Sequence, residues 1–255
     1  MEQVFEVVVL AVVQGLTEFL PVSSSGHLAV GQRLLGFNPQ GLDLEVFLHG
    51  GTLLAVAGFY RRRIGELVRA RDWRTGGALV VSGVPAIGVY AVVKDWLEGF
   101  SSDMGCVGIA MLFTGLVLCT TRFLRLAPSG RKGGYLEALL IGCAQAVALF
   151  PGVSRSGMTI SAARALRLEP EKAAEFSFLM SLPIIGGATV LHLVELVRRP
   201  AEATLPPGTL LLGAAVAGIV GYFAILAVER LLGSGRFWLF GPYCLACGLL
   251  VICFL

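Results

Sequence analysis

The sequence is poor in charge and has no recognisable cleavable leader. Charged residues make up 15% of the 255 residues, whereas about 25% is usual in soluble proteins. The net charge of +3 is too small and too scattered to favour binding to nucleic acid. The first residues, Met1-Glu2-Gln3, lack the basic region that begins a signal peptide, so we expect no signal peptide to be removed.

Cysteine and histidine are also scarce. The six cysteines lie in apolar runs, and the pair Cys244 and Cys247 forms a CxxC without a second pair or a neighbouring histidine, which favours apolar packing over a metal site or a disulfide. What fills the chain is apolar sequence: 56% of the residues are hydrophobic and the mean hydropathy is +0.80. This composition predicts a polytopic membrane protein rather than a soluble domain with one anchor.

A polar pentapeptide occurs twice. Val22-Ser23-Ser24-Ser25-Gly26 returns 131 positions later as Val153-Ser154-Arg155-Ser156-Gly157, and the same offset pairs Gln14 with Gln145 and Phe19 with Phe150. Each copy follows an apolar run that reads as a helix. Backbone that leaves a helix at membrane depth is tolerated only where protein or a water-filled cavity surrounds it. Two matched breaks therefore predict one site between two repeats.

The repeat extends over the whole chain. In each half, an apolar run and a return too short to span a membrane predict a re-entrant helical hairpin, and three transmembrane helices follow. In the first half these are residues 3–20, 27–37, 44–60, 77–97 and 104–121; in the second they are 135–150, 158–168, 174–197, 208–228 and 237–255. We expect one integral-membrane domain, 1–255, with repeats at about 1–130 and 131–255. Because three is odd, the second repeat would be inverted relative to the first.

Basic loops predict the orientation. Loop 61–74 carries six arginines against Glu66 and Asp72, and loop 122–132 carries four basic residues and no acidic one. Loop 94–103 has Lys94 against three acidic residues. The two basic loops are expected in the cytoplasm. The first hairpin would then enter the membrane from outside, the second would enter from the cytoplasm, and both termini would lie outside.

The two polar segments contain the groups that phosphoryl transfer needs. The first, 14–27, offers a carboxylate (Glu18), an imidazole (His27) and several hydroxyls, and Gln14 shares a helix face with Glu18. The second, 151–159, adds Arg155. Arginine matches phosphate oxygens, a carboxylate can hold a divalent cation, and imidazole moves protons near neutral pH. Hydroxyls and turn amides suited to phosphate come from Ser23, Ser25, Gly26, Ser154, Ser156, Gly157 and Thr159.

Structural interpretations stay open for several of these residues. Ser/Gly turns also let membrane helices pack closely, Glu18 could be a structural hydrogen-bonding group, and His27 could be a satisfied core residue. His49 could line a site or serve packing alone. Arg155 is the hardest to explain structurally, because an arginine at membrane depth costs at least about 2.5 kcal/mol.

The segment from Gln14 to His27 resembles the (E/Q)xxxE and PxxSSGH signature of bacterial undecaprenyl pyrophosphate phosphatases, the bacitracin-resistance family, and Pro151 to Gly157 resembles that family's PGxSRSG motif. The resemblance implies hydrolysis of a polyprenyl pyrophosphate to the monophosphate and inorganic phosphate. This reaction recycles the lipid carrier of peptidoglycan synthesis and underlies bacitracin resistance. The resemblance also implies the bacterial inner (plasma) membrane, with the site facing the periplasm or cell exterior.

Carried over residue by residue, the resemblance assigns Gln14 and Glu18 to the acidic motif and Ser24 and His27 to the reactive pair. It assigns phosphate binding to Ser154, Arg155 and Thr159. We expect Ser24 to attack phosphorus, His27 to act as general acid and base, and Glu18 to help hold Mg²⁺ or Ca²⁺. The first acidic position is Gln14 here, so two carboxylates cannot share the metal. Attack by a metal-activated water is the alternative to a serine nucleophile.

Two other functions fit parts of the pattern. Inverted repeats with broken helices also occur in transporters, so a flippase of polyprenyl phosphate lipids is the alternative function. A phosphatidic-acid-type phosphatase would explain Ser24-Ser25-Gly26-His27, but it needs a second histidine soon after Ser154-Arg155, and none occurs before His192. The oligomeric state, a homodimer included, is left open by the sequence.

Overall fold

The structure is a computed structural model that describes residues 2–37, 39, 43–123, 134–198 and 205–255. Within these ranges the chain is helical and contains no strand. The helices are α1 (Glu2–Phe19), α2 (Ser24–Leu35), α3 (Asp43–Phe59), α4 (Arg61–Arg69), α5 (Trp73–Val81), α6 (Val84–Ser102), α7 (Met104–Thr120), α8 (Tyr135–Val147), α9 (Arg155–Ala165), α10 (Pro170–Leu179), α11 (Ser181–Arg198), α12 (Pro207–Gly233) and α13 (Phe240–Phe254).

Several of these helices are long and apolar enough to cross a membrane. Five helical stretches in the described part of the chain meet that criterion: Trp73–Leu97, Met104–Phe123, Pro170–His192, Pro207–Gly233 and Phe237–Phe254. The prediction of an all-helical protein with several membrane-crossing helices is thereby confirmed. The predicted span 44–60 corresponds to α3, which has 17 residues. Most of the basic loop 122–132, including Arg125, Arg131 and Lys132, lies outside the described residues.

The helices that follow the two polar turns begin earlier in the chain than the sequence predicted. We expected the return helices to begin at 27 and 158, but α2 begins at Ser24 and α9 at Arg155. The reason is helix capping. The Ser23 hydroxyl accepts the Gly26 N–H at 3.2 Å, and the Ser154 hydroxyl accepts the Gly157 N–H at 3.0 Å. Each cap satisfies an amide that would otherwise be orphaned, so the rest of the pentapeptide joins the first helical turn.

The two turns lie in contact. The Gly152 N–H donates to the Ser25 hydroxyl at 3.3 Å, and the Ser156 hydroxyl donates to the Leu20 carbonyl at 3.1 Å. Thr114 of α7 supports the second turn, since its hydroxyl donates to the Gly152 carbonyl and accepts from the Ser154 N–H, both at 3.1 Å. The two turns, which are offset by 131 positions in sequence, thus meet at one place in the fold.

Long helices hold these turns in place. Helix α12 packs along α1 and α3, and α13 packs along α7. Small residues permit these close approaches: a Cβ on Gly51 would overlap the backbone of Ala214 in α12. In a membrane, where apolar burial between helices gains little over lipid, such close backbone packing is a main source of helix association.

This packing predicts unequal effects for two substitutions in α3. Gly51→Ala should lower the free energy of unfolding by about 1–3 kcal/mol, because the added methyl overlaps the α12 backbone. Gly58→Ala is the matched control, since a Cβ there meets nothing within 4 Å, and it should be neutral or stabilising by up to about 1 kcal/mol. Thermal unfolding of the two variants in detergent measures the difference, and equal shifts would contradict the role given to Gly51.

Candidate active site

Glu18 lies at the centre of a cluster of polar side chains. It sits at the last turn of α1 and is 7% exposed. Its Oε2 accepts the Ser24 hydroxyl at 2.7 Å and the Gln14 amide Nε2 at 3.0 Å. The spacing of four residues between Gln14 and Glu18 places both on one face of α1, and the break after α1 brings Ser24 back toward them. The carboxylate therefore organises both sides of the first turn.

Arg155 joins Glu18 from the second turn. Its Nη2 lies 2.6 Å from Glu18 Oε1, and its Nη1 donates to the Ser177 carbonyl at 3.1 Å. The side chains of Arg155 and Glu18 are only 16% and 6% exposed. A charge buried without its partner would cost several kcal/mol, so each of the two makes the burial of the other tolerable. Together they carry no net charge, and the guanidinium has N–H groups beyond the two used in these contacts.

His49 of α3 completes this cluster. Its Nε2 lies 3.6 Å from Glu18 Oε2, and its Nδ1 lies 2.8 Å from the Glu45 carbonyl. A carbonyl only accepts, so Nδ1 carries a hydrogen and Nε2 is the nitrogen directed at Glu18. The sequence left the role of His49 open between site and packing, and the structure places it at the site.

These residues border a cavity of about 300 Å³. Its wall mixes polar groups with apolar side chains from both halves of the chain: Thr17, Glu18, Ser24, Ser25, His49, Ala86, Gln145, Ala148, Leu149, Pro151, Val153, Ser154, Arg155, Ser181, Ile184 and Ile185. Nine of these sixteen residues are polar, so the wall is richer in polar groups than the mostly apolar pockets of many small-molecule sites. A cation, a carboxylate and hydroxyls beside apolar side chains suit the phosphate end of a lipid.

The structure brings some of the sequence-predicted site residues to the cavity wall. These are Glu18, Ser24, Ser25, Ser154 and Arg155. Gln14 lies one layer behind, fully buried against Glu18. Thr159 is also buried, with its hydroxyl 2.6 Å from that of Ser177.

Four further residues predicted to bind phosphate have partners within the two turns. The amides of Gly26 and Gly157 donate to the caps described above, and the hydroxyls of Ser23 and Ser156 are both buried. These four residues shape the turns. They lie behind the wall that the hydroxyls of Ser24 and Ser25 reach.

His27 points away from the cavity wall. Its Nδ1 donates to the Ser23 carbonyl at 2.8 Å, and its Nε2 lies 2.9 Å from the Tyr243 hydroxyl of α13. The two rings are nearly parallel, with centroids 5.7 Å apart. Both ring nitrogens are thus engaged, and the ring ties α2 to α13.

Sequence reasoning assigned no site role to three of the polar residues on the cavity wall, Thr17, Gln145 and Ser181. The Ser181 hydroxyl donates to the Phe178 carbonyl at 2.6 Å. Gln145 had a signal in the sequence, because the repeat pairs it with Gln14. That pairing defines the repeat but by itself assigns no role to the Gln145 side chain.

Glu175 and His192, which lie away from the cavity, have structural partners. Glu175 pairs with Arg63 at 2.6 Å and with Lys172 at 2.7 Å. His192 Nε2 lies 3.0 Å from Asp43 Oδ1. These contacts give Glu175 and His192 structural roles outside the cavity.

The oxygens around Glu18 fit a divalent cation in part. Among the described residues, no group of three or more histidine, cysteine or acidic side chains comes together. Yet Gln14 Oε1 is buried without a partner, beside a carboxylate. Mg²⁺ is commonly held by one or two carboxylates together with phosphate oxygens of the substrate. The donor set therefore fits a cation that the substrate helps to hold.

Comparison with known proteins agrees with this geometry. The profile of the family described as "Bacitracin resistance protein BacA" matches residues 7–250. An undecaprenyl-diphosphatase of Desulforapulum autotrophicum is 37% identical over 98% of this chain and 98% of its own length. Those of Halothermothrix orenii and Rhodopirellula baltica are 34% and 37% identical, over 98% and 99% of this chain and 97% and 98% of their own lengths. The chain belongs to the BacA family of bacitracin resistance proteins.

Proposed function

We propose that this protein is an integral-membrane phosphatase that hydrolyses undecaprenyl pyrophosphate to the monophosphate and inorganic phosphate. It would recycle the lipid carrier of cell-wall synthesis and so confer bacitracin resistance. The observation that carries this proposal is the Ser24–Glu18–Arg155 cluster, which borders a partly apolar cavity in a membrane protein of this family. The relatives, named as diphosphatases, support it as well.

The chemistry follows from the atoms at the wall. The Ser24 oxygen attacks the terminal phosphorus, the bond from that phosphorus to the bridging oxygen breaks, and the polyprenyl monophosphate leaves. Water then cleaves the phosphoserine and releases inorganic phosphate. Arg155 binds the charge on the transferred phosphoryl oxygens, while Ser25 and Ser154 offer hydroxyls to the pyrophosphate. Direct attack by water, with Ser24 only a hydrogen-bond donor, is the alternative pathway.

In this scheme the first proton transfer is from the Ser24 hydroxyl to Glu18. The Ser24 hydroxyl already donates to Glu18 Oε2, so the carboxylate is the first acceptor of its proton. The acid–base role of an imidazole has two candidates. The sequence motif favours His27, whereas His49 Nε2 lies 3.6 Å from that same Glu18 oxygen.

A divalent cation, Mg²⁺ or Ca²⁺, is proposed as the cofactor, held by Glu18 and by phosphate oxygens of the substrate, with the buried Gln14 amide behind the carboxylate. When bound, it would neutralise phosphate charge. Arg155 shares the same carboxylate, so protein and cation together would balance an anionic substrate.

The architecture proposed for this function is an inverted repeat with two re-entrant hairpins, α1–α2 and α8–α9. The matched serine caps at Ser23 and Ser154 and the contact between the turns support it. The arginine-rich loop 61–74 favours a site open to the outer face of the inner membrane.

Labelling with a membrane-impermeant thiol reagent tests this orientation. In cysteine-free protein, a single cysteine is introduced by Asp103→Cys, between α6 and α7, or by Arg69→Cys. The Asp103→Cys variant should react from outside, whereas the Arg69→Cys variant should react only after the membrane is permeabilised, because the arginine-rich loop is expected in the cytoplasm. The reverse pattern would overturn the orientation.

The function is tested by phosphate release from polyprenyl pyrophosphate by purified protein in detergent. Turnover should require a divalent cation and stop with chelator. Absence of phosphate release from folded protein in the presence of Mg²⁺ or Ca²⁺ would contradict the proposal. The comparisons give the transporter alternative no support, since the relatives are named as diphosphatases.

Arg155→Lys tests the role of the guanidinium. Lysine keeps the positive charge beside Glu18 but lacks the planar fork that matches phosphate oxygens. The variant should fold, and its kcat/KM should fall by about 10³, which corresponds to roughly 4 kcal/mol of transition-state stabilisation. Near-normal turnover would reduce Arg155 to a generic cation, and a variant that does not fold would favour a structural role.

Double mutants distinguish the two imidazoles. Residues that share one step lose activity non-additively. From the geometry we expect the effects of Ser24→Ala and His49→Ala to be non-additive, and those of Ser24→Ala and His27→Ala to add. Turnover of the single and double variants and of wild type under saturating cation measures this. The reverse pattern would assign the proton step to His27, as the sequence motif suggests, and high residual turnover in Ser24→Ala would favour direct attack by water.

A further inference from the structure

Gln145 is a buried polar residue without a partner at the wall of the cavity. It lies near the end of α8 and is only 5% exposed. Its side-chain nitrogen, Nε2, is buried and makes no hydrogen bond. Gln145 is also one of the residues that line the cavity, together with Glu18, Ser24 and Arg155. The amide nitrogen is itself enclosed, and rotation about the terminal bond of the side chain exchanges its position with that of the amide oxygen. A donor without a partner among the described residues is therefore held beside the site.

The repeat explains why this amide is free. Its counterpart in the first half, Gln14, donates to Glu18 four residues later. Four residues after Gln145 the chain has Leu149, which stands at the position equivalent to Glu18 and also borders the cavity. The second half of the chain therefore has the glutamine amide but lacks the carboxylate that would accept its hydrogen bond.

The surroundings of Gln145 make this arrangement costly unless a ligand completes it. The residues one turn before it and directly after it, Ile141 and Ala146, are apolar and buried, and Ala148 follows three residues later. A buried amide without a hydrogen bond costs about 1–3 kcal/mol. An apolar side chain of the same length would avoid that cost, so the amide stabilises the fold less than such a side chain would.

We infer that Gln145 is a substrate-contacting residue whose amide donates to an oxygen of the pyrophosphate group. The inference rests on the proposed function and adds a residue to it. Phosphate oxygens are strong acceptors, and a neutral donor opposite Arg155 adds a hydrogen bond without adding a second cation. The two hairpins would then contribute differently: the Gln14 amide holds Glu18, and the Gln145 amide holds the substrate.

Gln145→Met tests this directly. Methionine matches the length of glutamine but cannot donate, so kcat/KM for polyprenyl pyrophosphate should fall about 10- to 100-fold, the loss of one hydrogen bond to a charged group. The ligand-free variant should melt at the wild-type temperature or above it. Gln145→Glu, which places a carboxylate near the phosphates, should lose more activity than Gln145→Met.

Ser161→Ala is the matched control. The Ser161 hydroxyl is likewise buried without a partner, on α9, but it does not border the cavity. Its removal should leave kcat/KM unchanged. Equal losses in Gln145→Met and Ser161→Ala would mean that removal of any buried polar group impairs the protein, and would overturn the inference.

A binding measurement separates this inference from the proposed function. Inorganic pyrophosphate, with the divalent cation present, should raise the melting temperature of wild type and raise that of Gln145→Met less. If wild type shows this difference but releases no phosphate from the lipid, the proposed function fails and the anion contact stands. The inference would be overturned if Gln145→Met has wild-type kinetics and an undiminished shift in melting temperature with pyrophosphate. It would also be overturned if the ligand-free variant melts at a lower temperature than wild type. The absence of any shift in wild type would also overturn it.

Discussion

The buried ion pair between Glu18 and Arg155 is the interaction on which the site depends. It joins the end of α1 to the start of α9, so residues 137 positions apart become neighbours. Neither charge would be tolerated alone at this depth, because desolvation of a single ion is not offset there. The pair therefore holds the two turns together and keeps the site neutral until a ligand arrives.

The turns can carry this pair because their backbone is satisfied locally. Ser23 and Ser154 each cap the helix that follows, which leaves the neighbouring side chains, Ser24 and Arg155, at the first helical position. Thr114 and the contacts between the turns satisfy further backbone groups. Broken helices within apolar sequence thus become compatible with a membrane protein, because protein rather than lipid meets the exposed backbone.

The repeat supplies two similar frames that carry different chemistry. In the first, Gln14 donates to a carboxylate. In the second, Gln145 lines a cavity whose wall also includes the positively charged guanidinium of Arg155. The proposed pyrophosphate chemistry would use this asymmetry, with acceptors of protons and metal on one side of the reaction and donors to phosphate oxygens on the other.

Much of the fold and part of the site could be predicted from the sequence. Low charge and long apolar runs determined an all-helical membrane protein, and the two long motifs identified the family. The motifs also named Glu18, Ser24 and Arg155, which the structure brings together. The inverted arrangement of the repeats and the catalytic roles remain predictions.

Only the tertiary structure decided which polar groups face the cavity. Gln14 and Gln145 are equivalent in the repeat, yet packing buries one behind Glu18 and leaves the other at the wall. His27 follows the serine motif directly, but its ring lies against Tyr243, while His49 from α3 approaches Glu18. Sequence spacing determines which residues share a helix face. The position of that face depends on how α3, α12 and α13 pack, a long-range property that local pattern does not contain.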